Sequence, residues 1–538
     1  MMKSVVWMLG LLILTAETAV AVQRVDVSPG RRLGSKGDLE KVDHVQIAGA
    51  QAASGEDDIN EHHNLQIEAD RLHQEGRELY KQAKYLEALS KFEQSLAIRQ
   101  EIDDRPGIGA ALNDIGSIYD ILGDYPKALD LFENALAITE EIDDRPGIGE
   151  SLNNIGLIHF RRGKYPQALD FFERALAITE ESDDRYGIGK SLNNVGSIYD
   201  VRGEYTRALE LFERSLAIRE EIDDRHGIGE VLNDLGVVYD SLGQYQTALE
   251  IYQRSLDVRE DIGDRYGIGE VVNNIGLIYT RLGEYPRALE LYEQSLEIRE
   301  DIGDRYGISE ALSNIGSAYD SLGDYPKALD YYGQSLTILK EIGDQRSEGI
   351  TLNNIGSVYS RLGQYPDALD YYKQSLVIRE DLSDRRGEGI TLYNIGSIYS
   401  RLGDYPQALD FYEQAFAIRE TIGDRQGISE SLNNIGSIHS SLGDYPKALD
   451  FYEQSLTMRR DLSDRRGESV MLNNIGGVYE RLGESLKALD YYEQSLAITE
   501  EIGDRRGIGQ SLNNLGSLYS RMGEYSQSID YYQRSLAN

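Results

Sequence analysis

Paired asparagines recur along this chain every forty residues: Asn153-Asn154, Asn193-Asn194, Asn273-Asn274, Asn353-Asn354, Asn433-Asn434, Asn473-Asn474 and Asn513-Asn514. Asn314 and Asn394 keep the second place of the pair where Ser313 and Tyr393 replace the first. A side-chain amide offers a donor and an acceptor together, which suits the backbone of an extended peptide. Asparagine is a mediocre helix former, so its return at one phase needs a cause. Peptide binding is one. Bonding between neighbouring copies, or simple duplication of one ancestral unit, are the others. Arg161, Arg281, Arg361, Arg401, Arg481 and Arg521 share a second phase and crowd toward the later copies. A guanidinium track suits acidic side chains or a carboxylate; the plainer reading is a solvated edge. Ile350, Ile390 and Val470 stand where other copies place glutamate, so this surface varies as a selective one should.

Reaction chemistry has no comparable constellation. The chain has no cysteine, which excludes disulfides, thiolate zinc sites and cysteine nucleophiles. Gly107-Ile108-Gly109 imitates the start of a dinucleotide loop, but no strand precedes it and the third glycine is misplaced. Asp143-Asp144-Arg145-Pro146-Gly147-Ile148 lacks the ligand spacing and late glutamate of a calcium loop. The seven histidines are scattered. His159 and His439 replace a recurrent tyrosine and read as core, and His62-His63 as solvated residues rather than ligands. No enzyme activity, cofactor or metal is expected.

One unit, copied twelve times from about Leu65 to Asn538, positions these side chains. Glycine marks every copy at one phase, from Gly76, Gly116 and Gly156 to Gly516. A fixed period in the range of roughly 20–50 residues announces stacked units sharing one continuous core. In the copy Gly109–Ile148, Leu112, Ile115, Tyr119 and Leu122 fall on one helical face with Gly116. Gly123-Asp124 breaks that helix. Asp124 can cap the next, and Pro126 is tolerated in its first turn. Ala128, Leu129, Phe132, Ala135, Leu136, Ile138 and Ile142 form the second apolar stripe, and Asp143 to Gly147 close the unit with Asp144 as a candidate cap. Each copy is a helical hairpin, and the chain is all-α. A mid-helix glycine costs about 0.5–1 kcal/mol relative to alanine. The simplest cause is close approach of the second helix, whose matching position is small (Ser95, Ala135, Ala175, Ser215, through Ser535). The recurrent aromatics Phe92, Phe132, Phe172, Phe212 and Tyr252, through Tyr532, read as core.

The pattern Leu112-x2-Ile115-Gly116-x2-Tyr119, then Ala128-x3-Phe132, resembles the tetratricopeptide (TPR) signature. The usual unit has about 34 residues; here the second helix and closing turn are longer. This 40-residue form, with its Glu-Ile-Gly-Asp-Arg turn, resembles the arrays of bacterial CHAT-domain proteins and Pins-type adaptors. The stretch EADRLHQEGRELYKQAKYLEALSKFEQSL is similar to the opening unit of the CHAT-linked arrays. Without cysteine, the caspase-like His/Cys pair of those relatives has no counterpart, so the protease domain is not expected. The resemblance implies a right-handed superhelical solenoid of twelve helix-turn-helix units with first helices lining a concave groove. It places Glu150, Asn153, Asn154, Leu157, Phe160 and Arg161 on that face in one copy. It assigns peptide contact to Asn154, Asn194, Asn274, Asn314, Asn354, Asn394, Asn434, Asn474 and Asn514; the guanidinium track, read from its own chemistry, adds Arg361, Arg401, Arg481 and Arg521 to the expected groove.

A net charge of −37 argues against nucleic acid and anionic lipid as partners. It permits a basic partner, and it also fits a solvated exterior. Lys3, the apolar run Val5–Leu14 and Ala19-Val20-Ala21 read in that order as a secretory signal peptide cleaved after Ala21. The competing reading is a retained anchor, but the run is shorter than the ~20 residues a bilayer needs. Residues 22–64 read as a flexible leader rich in Gly, Asp, Glu and Gln. The expected product is exported, periplasmic or secreted. Its expected role is a non-catalytic scaffold holding a peptide or partner protein in the groove. The alternative is a structural solenoid that self-assembles by stacking through an uncapped C-terminal end.

Overall fold

The structure, a computed structural model, describes residues 55–81, 84–121 and 124–538. The signal segment, the leader up to residue 54, Leu122 and Gly123 lie outside those residues. Among the described residues, twenty-four helices follow one another as twelve hairpins, with no strand. They fall into two units, seven hairpins ending at Asp344 and five beginning at Gln345. The first hairpin pairs Gly55–Lys81 with Tyr85–Glu101, so its helix starts ten residues before the expected boundary at Leu65. Polar links hold this stretch, which has no apolar period to announce it. A His62 ring nitrogen lies 3.2 Å from the Ile102 carbonyl oxygen, and Gln66 Nε2 donates to Asp104 Oδ2 at 3.2 Å.

The hairpins end where the sequence says they must. Asp124 Oδ1 accepts from the Lys127 N–H at 3.2 Å, with Pro126 in the first turn of Tyr125–Glu141. Asp144 sits at the N-cap of Arg145–Arg161 without a side-chain bond, whereas Asp184 and Asp224 accept from Gly187 and Gly227, each at 3.1 Å. The closing turn needs one residue in the left-handed region. Gly263 and Gly303 supply it at φ 69° and 71°, but Asp143 does so at 55°, and Ser383 and Ser463 at 56°. That region costs an L-residue about 1–2 kcal/mol, and Asp tolerates it better than most. Ser383→Gly and Ser463→Gly are therefore expected to stabilise the chain by about 0.5–1 kcal/mol each, after the entropy of the added glycine is subtracted. A lower guanidinium midpoint for either variant would contradict this.

Within each hairpin the notch glycine is filled by an aromatic ring. An ideal Cβ at Gly116 falls 2.6 Å from Cε1 of Phe132, and one at Gly156 falls 2.6 Å from Cε1 of Phe172. This corrects the pairing expected from sequence: the small residue of the second helix is not the glycine's partner. It serves a different contact. The hydroxyls of Ser95, Ser215 and Ser255 donate to the carbonyls of Ala69, Gly189 and Gly229 at 2.8, 2.7 and 2.7 Å, stapling the two helices near the start of the first. Burying each ring contributes about 1.5–3 kcal/mol.

In both units the first helices of neighbouring repeats lie side by side, while no contact of similar extent joins successive second helices among the described residues. The first-helix row is thus the inner row. Its side chains are the ones a ligand lying along the units would meet.

Candidate binding groove

First helices are mostly buried, and their half-buried positions fall on one stripe at helical spacing. In Arg265–Arg281 the stripe is Glu270, Asn274, Leu277 and Arg281. The sequence-expected residues therefore share one inner face in each unit. Asn154, Asn314 and Asn354 are buried there, and Asn194, Asn274, Asn394, Asn434, Asn474 and Asn514 are half-buried.

The asparagines form a ladder between repeats. Nδ2 of Asn194 donates to Asn153 Oδ1 at 2.9 Å, and Asn314 to Asn273 at 2.9 Å. In the second unit Asn394 donates to Asn353 at 3.0 Å, Asn474 to Asn433 at 2.9 Å and Asn514 to Asn473 at 3.0 Å. Where Tyr393 replaces the first asparagine, its hydroxyl accepts from Asn434 at 2.7 Å, so the rung persists. The first asparagine bonds forward as well: Asn153 donates to Ser191 Oγ at 2.9 Å and Asn273 to Glu310 Oε1 at 3.1 Å. Recurrence of the pair thus has a structural cause. Each rung uses one of the two N–H groups that a side-chain amide owns.

The arginine phase is less uniform than a basic track. Arg161 pairs with Asp120 and Arg281 with Asp240, both at 3.3 Å, and Arg521 with Glu480 at 3.1 Å. In each case the acid belongs to the preceding repeat. Arg481 donates to the Ser440 carbonyl at 3.4 Å and Arg361 to Ser357 Oγ at 3.4 Å. Arg401, Arg481 and Arg521 are exposed, and Arg361 is half-buried.

A second arginine column escaped the sequence reading. Arg219, Arg259, Arg299 and Arg419 are buried between repeats at about 4% exposure each. Arg219 and Arg259 reach the capping Asp224 and Asp264 at 2.9 and 3.0 Å. Arg299 and Arg419 reach Glu310 and Glu430 on the next first helix at 2.7 and 3.6 Å. Where threonine takes this place, as at Thr139, Thr179 and Thr499, its hydroxyl bonds back to its own helix. Gly107 and Gly227 belong to the same device: an ideal Cβ there would overlap the Nη1 of Arg99 or Arg219. The glycines that mimic a nucleotide loop make room for a buried ion pair.

Burial raises the Asp240 carboxyl to about 6, against the pull of Arg281. An unfolded aspartate titrates near ~3.9. The folded state therefore carries a penalty above pH ~6 that fades as pH falls and is gone below ~4. Asp240→Asn is expected to melt higher than the wild type at pH 7.5, by up to about 3 kcal/mol, and the gap should narrow below pH ~6 and close below ~4. A gap that does not change with pH contradicts this assignment.

His159 and His439 stack on Phe171 and Phe451, with ring centroids 5.3 and 5.5 Å apart, so they pack as the tyrosines do. Among the described residues no helix is long and apolar enough to cross a membrane.

Stacked helical hairpins, each with a ring-filled glycine notch and an inner stripe of first-helix side chains, define a helical-repeat solenoid. The chain belongs to the tetratricopeptide repeat family, whose repeat pattern matches residues 72–141, 121–181, 187–261, 268–341, 347–421, 391–461 and 468–538. Among curated proteins none matches. Among solved structures, the apo form of the quorum sensor NprR from B. thuringiensis is 17% identical with a TM-score of 0.47, over 63% of this chain and 98% of that one. A signal transduction ATPase with a tetratricopeptide repeat sensor from Pyrococcus horikoshii is 16% identical at 0.48, over 62% and 53%. Aspartyl phosphate phosphatase F from Bacillus subtilis is 18% identical at 0.43, over 65% and 93%.

Proposed function

We propose that the protein is a non-catalytic scaffold that holds an extended peptide, or such a segment of a partner protein, along the inner stripe of its first helices. One observation carries this reading. The copies keep their notch, ring and capping aspartate, yet they differ at the stripe position that reads Ala110, Glu150, Lys190, Ile350, Val470 and Gln510. The position carries no part of the notch, ring or cap, and its variation in charge and size on the inner face suits recognition more than folding. The test is a capture experiment with the wild type and a variant carrying Ser397→Trp and Ser437→Trp, which obstructs the stripe. A partner retained by the first and lost by the second, at equal melting temperature, supports the groove. Equal capture moves binding to the outer helices and sinks the proposal.

The segment ahead of residue 55 supports export, with a signal peptide cleaved after Ala21. N-terminal sequencing of the native protein that returns Met1 would refute it.

End-to-end self-assembly is the second reading, favoured by the helix Tyr525–Ala537. Ile529 and Leu536 are 57% and 88% exposed there, whereas Leu496 in the preceding repeat is 8% exposed. Light scattering that gives a monomer at high concentration removes it.

A further inference from the structure

The inner stripe changes character between the two units. Five stripe and junction positions per repeat can be followed, exemplified by Glu270, Asn274, Leu277, Thr280 and Arg281. Over repeats 2–7, which run from Arg105 to Ile342, they hold ten carboxylates and three cations. Over the five repeats from Gln345 onward they hold four arginines and two glutamates. Both glutamates are paired, Glu430 with Arg419 at 3.6 Å and Glu480 with Arg521 at 3.1 Å.

A residue exchange accompanies this. Five first helices begin Gly-Ile-x-Glu, from Gly147, Gly227, Gly267, Gly307 and Gly427, with isoleucine buried and glutamate on the stripe. Three repeats of the second unit reverse the order, giving Glu348/Ile350, Glu388/Ile390 and Glu468/Val470. The displaced acids are not lost. Glu388 is buried against Arg385 at 2.7 Å, and Glu468 against Arg460 and Arg465 at 2.8 and 2.6 Å. Their charge has been moved off the stripe and aliphatic side chains put in its place. The floor changes in part: in the first unit Leu157, Val237 and Leu277 alternate with Ser117, Ser197 and Ser317, whereas the second carries only small residues, Ser357, Ser397, Ser437, Gly477 and Ser517.

Resting on the groove reading above, we infer that the second unit's stripe receives an acidic extended peptide. Its aliphatic side chains lie on Ile350, Ile390 and Val470, its backbone lies over the asparagine ladder and serine floor, and its carboxylates face Arg361, Arg401, Arg481 and Arg521. Charge complementarity selects this occupant. The acidic stripe of the first unit rejects it. Packed helices lie about 8–10 Å apart and a strand rises about 3.3 Å per residue, so neighbouring arginines meet acids roughly three residues apart. Ser441 leaves one position without a cation between the two arginine pairs.

The test is fluorescence anisotropy with the full chain and a labelled 13-residue peptide with Asp at positions 1, 4, 10 and 13 and Leu, Ser and Ala between. It is run beside a peptide with Lys for Asp and one with the four Asp in a block. The spaced acidic peptide is expected to bind at least ten times more tightly than either. Arg401→Glu with Arg481→Glu should lose at least tenfold, Ile390→Ser severalfold, and Glu413→Gln, exposed on the second helix Tyr405–Ile422, nothing. Circular dichroism melts confirm that each variant is folded. Equal binding of acidic and basic peptides, both blocked by Ser397→Trp, overturns the charge assignment and leaves the groove reading intact. Preference for the Lys peptide, or no binding by any peptide, overturns the inference. The groove reading itself falls only if Ser397→Trp with Ser437→Trp also leaves partner capture unchanged.

Discussion

Arg299→Met is expected to destabilise the first unit by about 3–5 kcal/mol, the loss that follows when one member of a buried ion pair is removed. Arg299 Nη1 lies 2.7 Å from Glu310 Oε2, and these side chains are only 5% and 12% exposed. The second oxygen of Glu310 accepts from Asn273, whose own oxygen accepts from Asn314. One guanidinium therefore holds together an acid and one rung of the ladder, across the junction between Arg265–Ile302 and the hairpin that follows. Removing it leaves a carboxylate with little water and one amide partner. Arg299→Met with Glu310→Met should recover at least half of the loss, because no charge is then stranded. In a repeat array stability is a sum of unit and junction terms, so the single variant should also split the denaturation curve into two steps. A single variant within about 0.5 kcal/mol of the wild type would show the pair to be solvated.

This arginine shows where sequence reading reached and where it stopped. The period, the helical hairpins, the aromatic core and the Asp124 cap were all legible, because each follows from spacing along one chain segment. Arg299 was not. In Ile-Arg-Glu-Asp-Ile-Gly it reads as one more solvated charge on the second helix. Its burial depends on a helix that begins only after the closing turn. A signal was available: glutamate sits at the Glu310 phase in each repeat that follows Arg219, Arg259, Arg299 or Arg419, and two residues earlier, as Glu388 and Glu468, after Arg379 and Arg459; Arg99 alone is followed by neither and pairs with Asp70 and Asp104. The asparagines were legible only in part: bonding between neighbouring copies was one of the causes their recurrence admitted, but not which atoms make it. Periodicity placed both members of the pair near the inner face. It could not say that Asn274 donates to Asn233 of the preceding copy at 3.0 Å. Contacts within one helix are encoded by phase, and contacts between repeats by complementarity of two positions about forty residues apart. The second kind has to be read as pairs.

The ladder and the buried arginines also bear on what the groove can offer. Junctions built from polar bonds fix the register of one first helix against the next, so stripe residues keep a constant spacing along each unit. An extended ligand needs that regularity, since its own side chains recur at fixed rise. Side chains at stripe positions such as Lys190, Ile350 and Ile390 can then vary in charge and size without disturbing the stack. Function and folding are thereby assigned to different positions of the same helix.

Gly236→Val is expected to cost about 3 kcal/mol, the upper end of ordinary overpacking, although valine is the better helix former. An ideal Cβ at Gly236 falls 2.4 Å from Cε1 of Tyr252 and 2.6 Å from its Cδ1. That ring is 1% exposed and enclosed by Ala248, Val271 and Ile278, so it has nowhere to turn. Tyr252→Ala should cost about 3–5 kcal/mol by leaving a cavity. The double variant should cost at least 1 kcal/mol less than the sum, because the valine methyls enter the vacated space. Gly333 supplies the contrast. It also lies inside a helix, Tyr325–Ile342, but nothing stands within 4 Å of the Cβ it lacks. Gly333→Ala is therefore expected to stabilise by about 0.5–1 kcal/mol, the full difference in helix propensity. Equilibrium guanidinium unfolding of the four variants decides the matter. If Gly236→Val and Gly333→Ala shift the midpoint in the same direction, the notch is not filled by the ring, and the recurrent glycine is left to ancestry alone.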